Sequence, residues 1–200
     1  MNNLEQVLAF LKANIKQTDT IVLGLSGGLD SMVLFDILIN HDYSFVVAHV
    51  NHKKREASDK EYDAIKALSN HGNIPFEGLE LNDLGNDNFH DEARQKRLDF
   101  FNQVALKYQT NKLLLAHHLD DQIETFLMKF FKGSPLYNLA PIDPITTIDN
   151  LTIYRPLLMV KKDAILDYAK AHHIKYYHDA SNDSDLYTRN RYRKTIIPVL

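Results

Sequence analysis

The chain alternates between short apolar runs and longer stretches in which apolar residues recur at helical spacing. Runs of about four to eight apolar residues are typical of buried strands, and the spacing between them is typical of amphipathic helices. The expected strands lie at 21–25, 45–50, 74–81, 112–116 and 153–157. The expected helices lie at 3–14, 32–39, 58–70, 90–108, 120–132 and 162–171. This order predicts an α/β fold, with a doubly wound, mostly parallel five-stranded sheet and helices on both faces.

Two segments depart from this alternation. Residues 133–150 contain Pro135, Pro141 and Pro144 and have no clear period, so we expect a surface loop near the site that the sheet builds. Residues 187–200 are cationic and end on an apolar pentad. We expect one domain over residues 1–200, with 176–200 as its C-terminal edge leading to further domains.

The composition is that of an ordinary globular protein, with 44% hydrophobic and 24% charged residues and a formal net charge of −3. Nucleic acid could therefore bind only at local basic clusters, such as 53–55 and 189–194. The absence of cysteine excludes disulfides, thiolate metal sites and a catalytic thiol. No signal peptide or membrane-spanning run is present, so we expect a cytoplasmic protein without a membrane partner. The oligomeric state stays open, and a dimer is compatible with the sequence.

A glycine-containing loop follows the first expected strand, with the sequence Leu25-Ser-Gly-Gly-Leu-Asp-Ser31. Adjacent glycines allow a tight turn, and the amides of the following helix start can receive phosphate oxygens. Asp30 stands where a Walker loop has lysine. A carboxylate beside phosphates needs an intervening cation, so Asp30 is interpreted as a Mg²⁺ ligand. The alternative is a plain tight turn whose acidic residue is stabilised by the helix dipole.

The loop resembles the SGGxDS motif of the N-type ATP pyrophosphatases, which cleave ATP between its α- and β-phosphates. The resemblance implies an adenine nucleotide alpha hydrolase-like fold with its site at the carboxyl ends of the strands. It also implies that the loop binds ATP through Ser26, Gly27, Gly28, Leu29, Asp30 and Ser31.

A second motif, Ala-His-His-Leu-Asp-Asp-Gln-Ile-Glu-Thr, occupies residues 116–125 at the start of a helix. Helical spacing puts His117, Asp121 and Glu124 on one side. Neighbouring carboxylates repel each other unless they share a cation, either a metal ion or an ammonium group. The alternative is helix capping, with Asp121 as N-cap and Glu124 three residues on. The expected core stripe of this helix consists of Leu119, Ile123, Phe126, Leu127 and Phe130.

This motif resembles the AHHxDDQxET signature of the tRNA(Ile)-lysidine synthetases. Other stretches agree with that family, at 48–52, 92–97, 155–158, 179–183 and 189–193. The resemblance implies ATP-dependent ligation of L-lysine to C2 of the wobble cytidine in an isoleucine tRNA with a CAU anticodon. It implies an adenylated-base intermediate and the products AMP and pyrophosphate.

The resemblance and the charge pattern together assign the candidate site residues. Catalytic roles are expected for Asp30, His117, Asp121 and Glu124, with Mg²⁺ at Asp30. Lysine is expected at Asp121, Glu124 and Arg189, and the adenine of ATP at Val50 or His52. RNA contacts are expected for Arg94, Arg97, Arg191 and Arg193. A solvated salt-bridge face would equally explain Arg94 and Arg97.

Three other functions share parts of this pattern. A tRNA thiolase also adenylates a base carbonyl, but it needs cysteines or a cluster. An amide-forming ligase, such as a GMP or NAD synthetase, shares the glycine loop without the second motif. A nucleotide-sensing module would hold ATP without turning it over.

Overall fold

The computed structural model describes residues 3–51, 53, 57–81, 89–177, 191–192 and 195–196. The helices are α1 (Asn3–Asn14), α2 (Leu29–Asn40), α3 (Ala57–His71), α4 (Phe89–Lys107), α5 (Leu119–Phe131) and α6 (Lys162–Ala171). The strands are β1 (Ile21–Gly24), β2 (Phe45–Asn51), β3 (Phe76–Glu80), β4 (Lys112–Leu114), β5 (Ile145–Ile148) and β6 (Leu151–Tyr154). A 3-10 turn spans Leu136–Leu139. The C-terminal edge expected at 176–200 lies mostly outside the described residues.

The strands form one sheet in the order β3-β2-β1-β4-β6-β5. The first five strands in this order are parallel, which confirms the predicted α/β fold. The sixth strand, β5, pairs antiparallel with β6 and lies at the edge. The expectation of an unstructured loop over 133–150 is therefore wrong for 145–148. The two strands join through a tight turn in which Asp149 has a φ of +53°, a conformation that aspartate tolerates better than most residues.

The two faces of the sheet carry separate hydrophobic cores. In β1, the buried Ile21 and Leu23 face a core built with residues of α1, α2 and α6. Val22, between them, faces the opposite core, which α4 covers. This period of two follows from the pleat of a strand, and it explains why Ile21, Val22 and Leu23 of β1 are all apolar and buried. Burial on both faces fixes the end of β1, from which the glycine loop emerges.

Helix α5 differs from the expected packing. Leu127 is buried, but Phe126 and Phe130 are 43% and 55% exposed, so the predicted core stripe is wrong at both positions. The reason is that α5 packs mainly against the 3-10 turn rather than squarely onto the sheet. An aromatic side chain at helical spacing is consistent with burial but does not specify it.

The parallel strands place their carboxyl ends at one edge of the sheet. The chain runs from β1 to β2 on one side, whereas β4 continues to β6 on the other, so the order reverses between the adjacent strands β1 and β4. Ligands of open α/β sheets bind in the crevice at such a reversal. Among the helices that the structure describes, none has the length and apolar character to cross a membrane.

Candidate active site

The glycine loop makes a tight turn between β1 and α2. Gly27 has a φ of +83°, which L side chains rarely adopt, and a Cβ there would lie 2.8 Å from Cδ1 of Ile65. Its carbonyl oxygen accepts a hydrogen bond of 2.9 Å from the amide of Tyr177. The backbone conformation therefore requires glycine at this position, and a larger residue would also displace the end of the Ile65 side chain.

Serine hydroxyls hold the loop in shape. The Ser26 and Ser31 hydroxyls are 3.0 Å apart, and Ser31 Oγ donates to the Gly28 carbonyl oxygen at 3.0 Å. Gly28 is the N-cap of α2 and has no side chain that could cap the helix. The first amides of α2, which begins at Leu29, are thus presented to an anion at the positive end of the helix dipole.

His49 fixes the start of this loop to the neighbouring strand. Its Nδ1 lies 2.7 Å from the carbonyl oxygen of Leu25, so this nitrogen carries the proton and donates. Burial lowers the pKa of His49, an effect that the hydrogen bond to Leu25 opposes. The ring belongs to an aromatic cluster with Tyr62 and Phe76. His49 is therefore a structural group under the loop.

The start of α5 reaches the glycine loop through His118. This residue is the N-cap of α5, and its backbone amide donates to Oδ2 of Asp121 at 3.0 Å. A capping arrangement therefore exists, with His118 as N-cap and Asp121 at the third helical position. The buried imidazole also lies between two carboxylates, with Nε2 at 3.6 Å from Asp121 Oδ2 and 3.8 Å from Asp30 Oδ2.

Lys162 is a site residue that the sequence reasoning missed. Its ammonium group lies 2.6 and 2.7 Å from the two carboxylate oxygens of Asp30. Its backbone amide lies 3.4 Å from Oδ1 of Asp120, so the start of α6 also touches the start of α5. One signal was available, because a lysine in the first turn of a helix opposes the helix dipole and needs a compensating anion.

The other predicted site residues take different positions. Glu124 is fully buried on α5, whereas the side chain of Asp121 keeps 15% of its surface and His117 is half-buried. Val50 pairs with Leu79 of β3 and packs on the α4 side of the sheet. The predicted residues His52, Arg189 and Arg193 lie outside the described part of the chain.

A magnesium ion would have one carboxylate ligand at the glycine loop. Mg²⁺ in nucleotide sites is held by one or two carboxylates together with phosphate oxygens and water, and Asp30 fits that role. Within the described residues, no group of three or more His, Asp or Glu side chains is arranged to hold a metal ion alone. Asp30 therefore fits a cation that is also bound by the phosphates of a ligand. Lys162 would have to release Asp30 before such a cation could bind.

Three arginines cluster beside the hairpin of β5 and β6. Arg94 is exposed on α4, and desolvation, with a smaller contribution from the charge of Arg94, lowers the pKa of Arg97 on the same helix. Arg94 also contributes to a lowered pKa of Arg155, where burial is again the main cause. Arg155 is held by the Asp143 carbonyl oxygen and the Thr146 hydroxyl. Like charges this close favour a polyanionic ligand.

An exposed apolar surface runs along α5 and over the adjacent segments, and we call it the α5 aromatic surface. Its members are Phe126, Phe130, Phe131, Leu136, Tyr137 and Met159. Phe126 and Phe130 stack with ring centres 5.9 Å apart, and the ring of Tyr192 lies 5.5 Å from that of Phe131. The predicted RNA-binding residue Arg191 is exposed and adjoins Tyr192. The surface begins beside the site, where Gln122 contacts Met159.

Sequence comparison relates this chain to proteins named as tRNA(Ile)-lysidine synthases. The bifunctional protein TilS/HprT of Listeria monocytogenes is 37% identical over 195 residues, which cover 93% of this chain and 30% of that protein. The tRNA(Ile)-lysidine synthase of Protochlamydia amoebophila is 35% identical over 100% of this chain and 45% of its own length. That of Bacillus subtilis is 37% identical over 90% of this chain and 40% of its length. The chain thus spans less than half the length of these relatives.

Solved structures share the fold at lower sequence identity. The U34-tRNA thiolase NcsA of Methanococcus maripaludis, with its [4Fe-4S] cluster, superposes with a TM-score of 0.77 at 21% identity, covering 94% of this chain and 69% of that one. An NH3-dependent NAD synthetase from Campylobacter jejuni gives a TM-score of 0.55 at 15% identity, covering 99% and 86%. These likenesses support the fold alone.

The family model of the PP-loop domain matches residues 2–200, and that domain implies ATP binding. Because this match takes in the loop after β1 and the acidic start of α5, the chain belongs to the PP-loop family.

Proposed function

We propose that the chain is the catalytic domain of a tRNA(Ile)-lysidine synthase. In this reaction O2 of the wobble cytidine attacks the α-phosphorus of ATP, and the bond to pyrophosphate breaks. The ε-amine of L-lysine then forms a bond to C2 as the C2–O2 bond breaks, so that AMP leaves with O2. The amine loses its proton to a base in the site. The chain's similarity to named lysidine synthases over 90–100% of its length supports this proposal.

The observation that carries the proposal is the contact between the two motifs through His118. An imidazole within 4 Å of both Asp30 and Asp121 joins the phosphate-binding loop to the acidic helix start. A reaction that first transfers an adenylyl group and then adds an amine needs these two functions side by side. The reversal point between β1 and β4 supplies that arrangement.

The glycine loop is assigned to the phosphates of ATP. The amides at the start of α2 and the Ser26 and Ser31 hydroxyls would bind the β- and γ-phosphates and stabilise the negative charge of the departing pyrophosphate. Mg²⁺ held by Asp30 would supply further charge neutralisation there. Val50 and His52 stay the proposed neighbours of the adenine.

The acidic start of α5 is assigned to lysine. Asp121 would bind an ammonium group, since a partly exposed carboxylate is accessible to a small amino acid. Glu124 is fully buried one helical turn further, so Asp121 is the carboxylate that lysine reaches first. His117 or one of these carboxylates would accept the proton of the amine, and Arg189 would bind the substrate carboxylate.

Two surfaces of the chain suit an RNA substrate. The arginine cluster of Arg94, Arg97 and Arg155 would neutralise phosphates, and Arg191 would add to it. The α5 aromatic surface offers exposed rings on which unpaired bases can stack. An anticodon base must leave its stack to reach the site, which favours recognition of single-stranded nucleotides.

The absence of cysteine separates this chain from the thiolase that shares its fold. Iron–sulfur clusters are held by cysteine thiolates, and these 200 residues contain none. An amide ligase is disfavoured by the complete AHHxDDQxET motif at 116–125. The non-enzymatic alternative is a nucleotide-sensing module, because the glycine loop alone would suffice to bind ATP.

The decisive experiment incubates the chain with ATP, Mg²⁺, labelled L-lysine and an isoleucine tRNA with a CAU anticodon. We expect AMP release that depends on both lysine and tRNA, with label retained in the RNA. The same tRNA with uridine at the wobble position is the matched control and should retain no label. Nucleotide binding without pyrophosphate release in the complete mixture would instead favour the sensor module.

A further inference from the structure

Lys162 and Asp30 join two helices at the mouth of the glycine loop. The ammonium group contacts both carboxylate oxygens of Asp30, and both side chains keep part of their surface, 35% for Lys162 and 24% for Asp30. The predicted ligand of a divalent cation is therefore already paired with a cation that belongs to the protein.

A second tie joins the same two helices at the same sequence separation. The hydroxyl of Tyr168 on α6 donates to Oδ2 of Asp36 on α2 at 3.0 Å, and both pairs are separated by 132 residues. The two helices therefore run in the same direction, and the Tyr168 contact already holds them together away from the loop. Lys162 is not required for that purpose alone.

The position of Lys162 suits a group that changes partner. The main chain of Lys162 is fixed, because its amide lies against Asp120 and because Lys162 is the first residue of α6. Its side chain is long, flexible and partly exposed, and an exposed ion pair is only weakly stabilising. An ammonium group can therefore exchange one anion for another nearby without a change in the backbone.

We propose that Lys162 is a phosphate-binding residue that neutralises Asp30 until nucleotide arrives. With a nucleoside triphosphate bound, Asp30 would hold its divalent cation and the Lys162 ammonium would bind oxygens of the triphosphate. The exchange keeps Asp30 neutralised in both states, and it adds a charged hydrogen bond to the ligand. This inference rests on nucleotide binding at the glycine loop and not on lysine or tRNA as substrates.

The test is calorimetric titration of the 200-residue chain with ATP, in Mg²⁺ and in EDTA, for the unchanged chain and for Lys162→Met and Lys162→Arg. We expect Lys162→Met to raise the dissociation constant about 10- to 100-fold, the size of a lost hydrogen bond to a charged group. The loss should be larger in EDTA, because Asp30 then faces the phosphates without any cation. Lys162→Arg should keep most of the affinity, since it retains the charge and the donors.

Tyr168→Phe is the matched control, because it removes a hydrogen bond between α2 and α6 that does not involve Asp30. Thermal unfolding of both variants shows how much each tie stabilises the fold. We expect both to unfold at lower temperature than the unchanged chain, and only Lys162→Met to lose affinity for ATP.

Two results would overturn the proposal. Unchanged ATP affinity in Lys162→Met, in both Mg²⁺ and EDTA, would make the ion pair purely structural. Tighter binding in Lys162→Met would make Lys162 a competitor of the nucleotide rather than a ligand. Neither result depends on lysidine formation, so failure of the proposed function in the tRNA assay would leave this test intact.

Discussion

Nε2 of His118 lies 3.8 Å from Oδ2 of Asp30, although the two residues follow different strands: Asp30 lies in the first turn of α2 after β1, and His118 is the N-cap of α5 after β4. The contact places the cap of α5 against the first turn of α2. Because His118 is buried and also lies 3.6 Å from Asp121, its ring sets the separation of the two carboxylates. The geometry of the site therefore depends on a residue that serves at the same time as a helix cap.

We predict that His118→Gln lowers the turnover rate of the proposed adenylation by about 10- to 100-fold, because the carboxylates on either side lose their fixed separation. The same variant should also lower the free energy of unfolding by about 1–3 kcal/mol, because it leaves a buried polar group without its partners. Lysine- and tRNA-dependent AMP release measures the first effect, and urea denaturation measures the second.

His117→Gln is the comparison for that variant, because the sequence pattern favoured His117. We expect it to keep the separation of Asp30 and Asp121 and to reduce activity less than His118→Gln. The reverse order of the two activities would contradict the role of His118 in spacing the two carboxylates.

The glycine loop provides a second prediction. Gly27→Ala should cost about 1–2 kcal/mol from the positive φ and a further ~1–3 kcal/mol from the contact of its Cβ with Ile65. It should also weaken ATP binding, since alanine strains the turn at a φ of +83° and Cδ1 of Ile65 must move to relieve the contact. Urea denaturation and ATP titration measure the two effects.

Gly133→Ala isolates the backbone contribution. Gly133 also has a positive φ, +71°, but a Cβ there would meet no atom within 4 Å. We expect this variant to lose only about 1–2 kcal/mol and to bind ATP normally. Equal losses in the two variants would show that the contact with Ile65 is relieved without cost.

The sequence predicted the parallel sheet and the glycine loop because both depend on local patterns. An apolar strand followed by Ser26-Gly-Gly specifies a turn at the strand's end, whatever the rest of the chain does. The pairing of Asp30 with Lys162 could not be predicted in this way, since 132 residues separate the partners. Only the order of the strands brings α2 and α6 to the same face of the sheet.

The sequence pattern favoured His117 over His118 for a different reason. Helical spacing was applied to His117, but α5 begins at Leu119, and His118 has the extended backbone of an N-cap, with φ −125° and ψ 178°. The directions of both imidazoles are therefore set by the loop rather than by the helix. Likewise, the strand β5 was missed because only four residues with an alternating exposure follow a proline-rich segment.

His49 predicts a fall in stability at mildly acidic pH. Burial lowers its pKa in the folded protein, so below about pH 6.5 the unfolded chain takes up a proton that the folded chain does not. The contribution of His49 to the free energy of unfolding is thus present above that pH. It is lost as the pH falls towards the pKa of His49 in the folded protein. Urea denaturation between about pH 8 and pH 5 should show a smaller pH dependence in His49→Gln than in the unchanged chain. His71→Gln, at an exposed position, should keep the original dependence.

Tyr168 predicts a loss of stability at the alkaline end. Burial and the hydrogen bond to Asp36 raise the pKa of Tyr168 to about 12. Between about pH 10 and pH 12 the unfolded chain ionises first, so the contribution of Tyr168 is full below that range and disappears across it. Tyr168→Phe should therefore be less stable by about 1 kcal/mol at about pH 8, and this difference should shrink above about pH 10. A difference that stays constant up to about pH 11.5 would contradict the raised pKa.

The α5 aromatic surface yields a prediction about RNA. Phe130 and Phe131 are 55% and 58% exposed, so their replacement by alanine removes little packing. If unpaired bases stack on these rings, the double variant Phe130→Ala with Phe131→Ala should weaken tRNA binding by about 1–3 kcal/mol for each base displaced, and leave ATP binding unchanged. Leu106→Ala, at a 65% exposed position near the end of α4, is the matched control for loss of surface hydrophobicity. Filter binding of the tRNA at fixed salt measures the effect. Equal affinities for the double variant and the control would assign this surface to something other than RNA, and the arginine cluster would then have to supply the whole of the tRNA affinity in this part of the chain.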